Sequence, residues 1–402
     1  MLLRQEIKHL LHCPSTWAVA IISVLLACLT PFLSLLGASI DVISPNGTRT
    51  TISGPAALSA WRDIESPLEG EISVEQLEAA LSVYQQLIKE YGENIPDDVY
   101  IRQGYPIEAY LNILRSYSAG TGTDGLASLA PESVSTFYTA RTGRVTEFLS
   151  AQLGANTPAY QAALAENAKV QTPFHFYSHR GLENALLNIS AIVVVLSLLV
   201  CVLCGQLFSA EYQSNSVTIL RATRYGRKKL AWAKVFAALF SSTILYVFTV
   251  TIYSAICGTL FGWRGFNAPI QLSSYLSVHP FTYGQVYVVA AAVGLLTIWA
   301  VTAFTLFISS RMNTPVFVTA IGFGAIILQF LIGSLPSKFF DFLGDILPSS
   351  GSSVYGELFR VNYFTVGPIA IWSPVVIVCS AFISVFVFSF LAVKSYCKHE
   401  GT

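Results

Sequence analysis

The sequence predicts an all-α polytopic membrane protein: six transmembrane helices, with a mainly helical extracellular domain between the first and the second. Three observations predict it. Of the 402 residues, 53% are hydrophobic and only 11% are charged, where soluble domains carry roughly a quarter, and mean hydropathy is +0.58. Six apolar runs are long enough to cross a bilayer, which takes about 20 residues at roughly 1.5 Å rise each. The 23 basic and 23 acidic residues cancel to zero, yet they segregate along the chain. This composition excludes a nucleic-acid binder working through a basic surface, and it excludes a disordered chain.

Taken in order, residues 1–15 form an amphipathic helix, with Leu3, Ile7, Leu10 and Leu11 beside Arg4 and Lys8, suited to a membrane interface. The first span covers 16–37. It is longer than the roughly 7–15 residues of a signal-peptide core, so it is expected to be retained. The domain at 38–184 follows. Its opening, 39–56, has a Pro-Asn-Gly turn and Thr/Ile alternation that predict a short hairpin. Ser73-Val74-Glu75-Gln76 has the capping-box form, and Val74, Leu77, Leu81, Tyr84, Ile88 and Tyr91 then repeat at helical spacing until Gly92. Further helices are predicted near 106–117, near 132–153 and, opened by Thr157-Pro158, near 158–169. The aromatic residues on these faces read as a core. Asn46-Gly47-Thr48 matches a glycosylation sequon, a triplet that is common by chance.

The remaining spans, within 185–394, lie near 186–208, 232–258, 285–309, 315–334 and 369–393, and 395–402 is a tail. None of the six contains Asp, Glu or Arg, and Lys234 is their one Lys. Orientation follows from the Lys/Arg bias. The termini, the 209–231 loop with Lys234 and the 310–314 loop hold eleven basic against three acidic residues, a net +8. The 38–184 segment holds nine basic against seventeen acidic, a net −8. Both termini are therefore expected to be cytoplasmic, in the cell membrane, with 38–184 outside. Seven cysteines fit this map, since the outer segment has none; a domain of that size buries a core without disulfides. Cys201 and Cys204 are one helical turn apart, and without His or acidic partners they read as packing.

No chemistry-bearing motif is found. The chain has no Gly-x-x-x-x-Gly-Lys-Ser/Thr loop, no His-Glu-x-x-His and no Gly-x-Ser-x-Gly. No ionisable group stands at mid-span to hold a coupling ion. An enzyme is not expected, nor a bound metal, and the driving force is expected from elsewhere.

The informative stretch runs from Phe208 to Lys234. Glu211 is followed by a short apolar helix with Val217, Ile219 and Leu220, then a turn at Tyr225-Gly226 and a basic run re-entering the bilayer. Charge alone reads as anchoring to headgroups by Arg227, Lys228, Lys229 and Lys234. The order of elements is more specific. Glu211, Ser216, Thr218, Leu220-Arg221, Thr223, Gly226-Arg227 and Ala233-Lys234 resemble the coupling segment of the type-2 ATP-binding-cassette (ABC) exporter permeases, in the branch with a large extracellular domain after the first transmembrane helix. The amphipathic N-terminus resembles that family's connecting helix, and Phe339, Phe340, Phe342, Leu343 and Pro348 resemble its short external helices. Ser216-Val217-Thr218 departs from the family's usual Gly-Thr.

The resemblance implies a permease subunit driven by a separate ABC ATPase chain, which binds the ATP and Mg. That chain would dock on Glu211, Ser216, Thr218, Leu220, Arg221 and Arg224. It also implies a second permease subunit, as homodimer or heterodimer, in a lipid membrane, and no nucleic acid. The uncharged spans suggest an amphipathic or apolar cargo, a peptide or lipid-like compound. The rival readings are a mechanotransmission permease that moves its external domain, which usually has four spans, and a ligand-sensing receptor without transport.

Overall fold

A computed structural model describes residues 2–44, 46–119, 125–222 and 226–398, with the side chain of Arg221 outside the description. Six helices are long and apolar enough to cross a membrane, the pattern of a multi-pass membrane protein: Pro14–Leu33, Leu182–Gln213, Lys228–Phe261, Tyr283–Ser309, Pro315–Gly333 and Ser373–Lys398. The amphipathic helix Leu2–His12 precedes them. Several bounds differ from the hydropathy reading. The second helix runs on to Gln213 and the third begins at Lys228, so the link between them shrinks from 209–231 to 214–227. Helix geometry does not stop where apolar residues stop, because backbone hydrogen bonding continues into water. The sixth helix starts at Ser373, since 369–372 belongs to a strand.

The helices pack by close approach at small residues. Second and fifth cross where Gly322 faces Cys201; a Cβ at Gly322 would meet Cys201 Sγ at 2.8 Å. Cys201 and Cys204 are fully buried, as packing groups should be. Fourth and sixth are joined by Phe304 and Phe307 against Phe388 at 5.1 and 5.7 Å. Between the fifth and sixth, a helix Lys338–Asp345 leads into the turn Ser350–Ser353 and the short helix Val354–Glu357. That turn descends into the bundle. Gly351 lies directly on Thr297, and a Cβ there would overlap Thr297 Oγ1 and sit 2.9 Å from Val293 Cγ1. Thr297 is roughly 21 Å along the fourth helix, about its middle.

Residues 34–181 cap the opposite end of the bundle from the 214–227 link. The predicted hairpin is there, Ser39–Ile43 with Arg49–Ser53 in the register Ile40↔Ile52. The helix Val74–Tyr91 opens with the Ser73/Gln76 capping box and closes at Gly92. Glu108–Ala119 and Pro158–Asn167 match their expected places. The single helix expected over 132–153 is instead two, Pro131–Ser135 and Arg141–Leu153. The break turns Phe137 and Tyr138 inward. Phe137 meets Tyr117 at 5.1 Å and Tyr275 at 4.9 Å, while the Tyr138 hydroxyl donates to the Ile72 carbonyl at 2.7 Å and accepts from the Phe174 amide. Aromatic packing and satisfied hydroxyls outweigh one or two helical hydrogen bonds.

Two further two-stranded sheets occur, Gly70–Glu71 with His175–Phe176 and Tyr363–Val366 with Ile369–Trp372. The all-α expectation is thus corrected to mainly helical with three small sheets among the described residues. The second of these is a hairpin turned at Gly367, where φ is 61°, flanked by β-branched and aromatic residues that favour strands.

The cap is clamped to the helix linkers by arginines. Arg62 donates to the Leu260 carbonyl at 2.8 Å, and Arg264 pairs with Glu69 at 2.7 Å. Within the cap itself, Arg180 pairs with the buried Glu65 at 2.8 Å and lies over the Trp61 ring. Arg141, only 4% exposed, donates to the carbonyls of Tyr275 and Ser277 and to Asn167 Oδ1.

Candidate functional site

The described residues among those singled out in the sequence converge at the end of the bundle that carries the 214–227 link. The second helix ends at Gln213, and Asn215 takes the left-handed conformation at φ 56°, which Asn tolerates better than most residues. The chain then turns into the short helix Val217–Ala222. Ser216 Oγ lies 2.9 Å from Ser214 Oγ and donates to the Glu211 carbonyl at 3.4 Å, and Thr218 Oγ1 donates to the Asn215 carbonyl at 3.0 Å. These local bonds tie the helix start to the end of the long helix before it. Val217 is buried, Leu220 half-buried and Thr218 exposed. Ile219 is 73% exposed, so one large apolar side chain stands outward on a helix of two turns. Arg224 and the side chain of Arg221 lie outside the described residues.

Glu211 does not face outward. Its carboxylate meets Lys234 Nζ at 2.8 Å and accepts from the Tyr396 hydroxyl at 3.2 Å. Lys234 also meets Glu6 of the amphipathic helix at 3.1 Å. The side chains of Lys234, Glu6 and Glu211 are 5%, 14% and 15% exposed. Lys234, expected as a headgroup anchor, has its ammonium sequestered between two carboxylates under the helix Leu2–His12. Glu211, expected to engage a partner directly, is held by its own chain. Arg227, Lys228 and Lys229, the other expected anchors, are exposed at the start of the third helix.

This triad ties together the amphipathic helix and the second and third long helices, and the Tyr396 hydroxyl adds the sixth. Neighbouring contacts extend the junction. Ser309 Oγ accepts from the amides of Phe208 and Ser209 and donates to the Gly205 carbonyl at 2.6 Å. The Tyr212 hydroxyl and Ser395 Oγ both donate to the Ser310 carbonyl, at 3.2 and 3.3 Å. Phe208 packs on Tyr396 at 5.0 Å, and Gln206 donates to Ser15 Oγ at 2.9 Å. Among the described residues, polar contacts at this end join every long helix but the fifth.

Glu6, Tyr396, Ser309 and Ile219 were not among the predicted site residues. For Glu6 a signal exists: it stands between Leu3 and Leu10 at helical spacing, on the face with Ile7, where a carboxylate needs a partner. For Tyr396 and Ser309 no signal exists, since hydroxyl residues are common throughout the spans.

No group of three or more His, Cys, Asp or Glu residues that could hold a metal occurs among the described residues. No protein-family model, curated protein or solved structure matches the chain.

Proposed function

We propose that this chain is the membrane-embedded permease subunit of an ATP-driven exporter of the type-2 ABC class, moved by a separate ATPase that grips the 214–227 link. The observation that carries the reading is the construction of that link. A short helix with an outward apolar residue, Ile219, is tied at its start to the end of the second long helix, whose Glu211 is joined through Lys234 to Glu6 of the amphipathic helix. An ordinary loop needs none of this bracing, whereas a docked motor does, because force on a flexible loop is dissipated. Six long helices without a nucleotide-binding motif agree with a subunit that borrows its energy.

In this reading the 214–227 link and both termini are cytoplasmic, the 34–181 cap is extracellular, and Arg227, Lys228 and Lys229 sit at anionic headgroups. Those cations open a helix at its positive end, a placement that an anionic membrane surface offsets. Thr218, Ile219 and Leu220 form the docking face, and Glu211 positions that face from behind. A second permease subunit completes the pathway, and the cargo is amphipathic or apolar.

The test is gentle solubilisation of the tagged chain from its native membrane, followed by mass spectrometry of what copurifies. An ABC ATPase is expected with the parent chain and is lost with Ile219→Asp. Equal recovery of that ATPase with both, or no ATPase with either, overturns the reading.

A further inference from the structure

The end of the bundle that carries the 214–227 link holds a second feature, independent of the proposed function. The last turns of the fourth and sixth long helices part to leave a groove of about 540 Å³ lined by Arg311, Leu391, Lys394, Ser395 and Lys398. We infer that this groove is a binding site for the headgroup phosphate of an anionic phospholipid, seated at the membrane–water boundary with its acyl chains along Leu391 and Phe388.

Charge is the first argument. Three of the five lining residues are cations, none is acidic, and among the described residues no ion pair involves Arg311, Lys394 or Lys398. Lys394 and Lys398 are four apart on one helix, so they share a face and repel one another. Arg311, brought in from the neighbouring helix end, adds to that repulsion. An anion between the three reverses the sign of the interaction through charge-assisted hydrogen bonds.

Shape is the second. The Ser395 hydroxyl donates to the Ser310 carbonyl at 3.3 Å, fixing the two helix ends at a set separation. The Arg311 guanidinium lies 4.6 Å over the Phe307 ring, and Phe307 packs on Phe388 at 5.7 Å. The cations therefore sit directly above an aromatic and aliphatic wall. Leu391, Lys394 and Lys398 form one stripe at spacings of three and four, apolar toward the bilayer centre and basic toward its surface. Free phosphate would use the cations alone; the apolar wall immediately below them is explained by a ligand that carries chains. Basic pockets between transmembrane helices are established headgroup sites.

Native mass spectrometry of the detergent-solubilised full chain tests this after exchange into lipid of defined composition, phosphatidylglycerol or phosphatidylcholine. The parent chain is expected to retain phosphatidylglycerol in preference to phosphatidylcholine. Arg311→Gln/Lys394→Gln/Lys398→Gln should retain it roughly 100-fold more weakly, about fivefold for each cation removed. Lys394→Arg/Lys398→Arg should retain it like the parent, and Arg227→Gln/Lys228→Gln/Lys229→Gln, which removes equal charge elsewhere at the same end, should weaken retention far less than loss of the three groove cations. Equal retention after loss of the three groove cations, equal retention of both lipids by the parent, or loss of the lipid to millimolar inorganic phosphate would each overturn the assignment. A weakening with Arg227→Gln/Lys228→Gln/Lys229→Gln as large as with Arg311→Gln/Lys394→Gln/Lys398→Gln would reduce the effect to general basicity and overturn it too.

Discussion

Replacing Lys234 by Met tests the triad at its centre. The ammonium is 2.8 Å from Glu211 and 3.1 Å from Glu6. At an effective dielectric of about 20, a pair 2.8 Å apart attracts by about 6 kcal/mol, and most of that offsets the cost of taking the ions out of water. Truncating one partner of a buried pair is the larger effect, about 3–5 kcal/mol, because it strands the other charge. Here two carboxylates would be stranded side by side. Lys234→Met is therefore expected to lose about 3–5 kcal/mol. Glu211→Gln alone leaves Lys234 with Glu6 and should cost about 1.5–3 kcal/mol, the range for hydrogen bonds to charged groups. Lys234→Met/Glu211→Gln should be about 2 kcal/mol more stable than additivity allows, and Glu6→Gln/Lys234→Met/Glu211→Gln should approach the parent. Equilibrium unfolding in mixed micelles titrated with SDS, followed by tryptophan fluorescence, gives these values. A loss below about 1 kcal/mol for Lys234→Met, with additive behaviour in the double variant, would refute the reasoning.

Three further expectations concern the rest of the fold. Gly351→Ala places a methyl group on Thr297 and should cost about 1–3 kcal/mol by overpacking; the same unfolding measurement should show part of that returned by adding Thr297→Ala. Arg141→Met removes the donors to Tyr275, Ser277 and Asn167; amide hydrogen exchange should then speed up across 273–282, at a cost of about 2–4 kcal/mol. Asp345 is buried, and burial pushes its carboxyl up to about 7 from an ordinary 3.8, against the pull of the Ser373 hydroxyl donating at 2.6 Å and with the help of the Glu357 and Asp341 carboxylates. The folded chain then keeps a proton that the unfolded chain has lost, so stability should fall as pH rises from about 4 to about 7. Asp345→Asn should flatten that dependence in thermal melts across the same window and be the more stable chain above pH 7.

The sequence carried the features that depend on local periodicity. Six apolar runs became six long helices, and the Ser73 capping box, the Thr157 cap and the Ser39–Ser53 hairpin stand where local chemistry put them. What was illegible depends on contacts between distant residues. The break at 136–140 follows from an aromatic cluster that draws Tyr275 from beyond residue 270, and no window around 136 contains it. The descent of Gly351 onto Thr297 joins a polar linker to a helix 54 positions earlier. The hairpin at 363–372 was legible, since Gly367-Pro368 between β-favouring residues is a turn signature, but the hydropathy of 369–393 overrode it. At the candidate site the sequence placed Glu211 and Lys234 in one motif, and they are paired; it could not show that Glu6, 228 residues from Lys234, completes the triad and turns both inward.

In the proposed function the short helix 217–222 is the grip for an ATP-hydrolysing partner. A photo-crosslinking residue installed in place of Ile219, activated in native membranes, reads that contact directly. A covalent adduct with a nucleotide-binding ATPase is expected, with a yield that changes when ATP is added. Adducts with lipid alone, or with no protein in either nucleotide state, would contradict it.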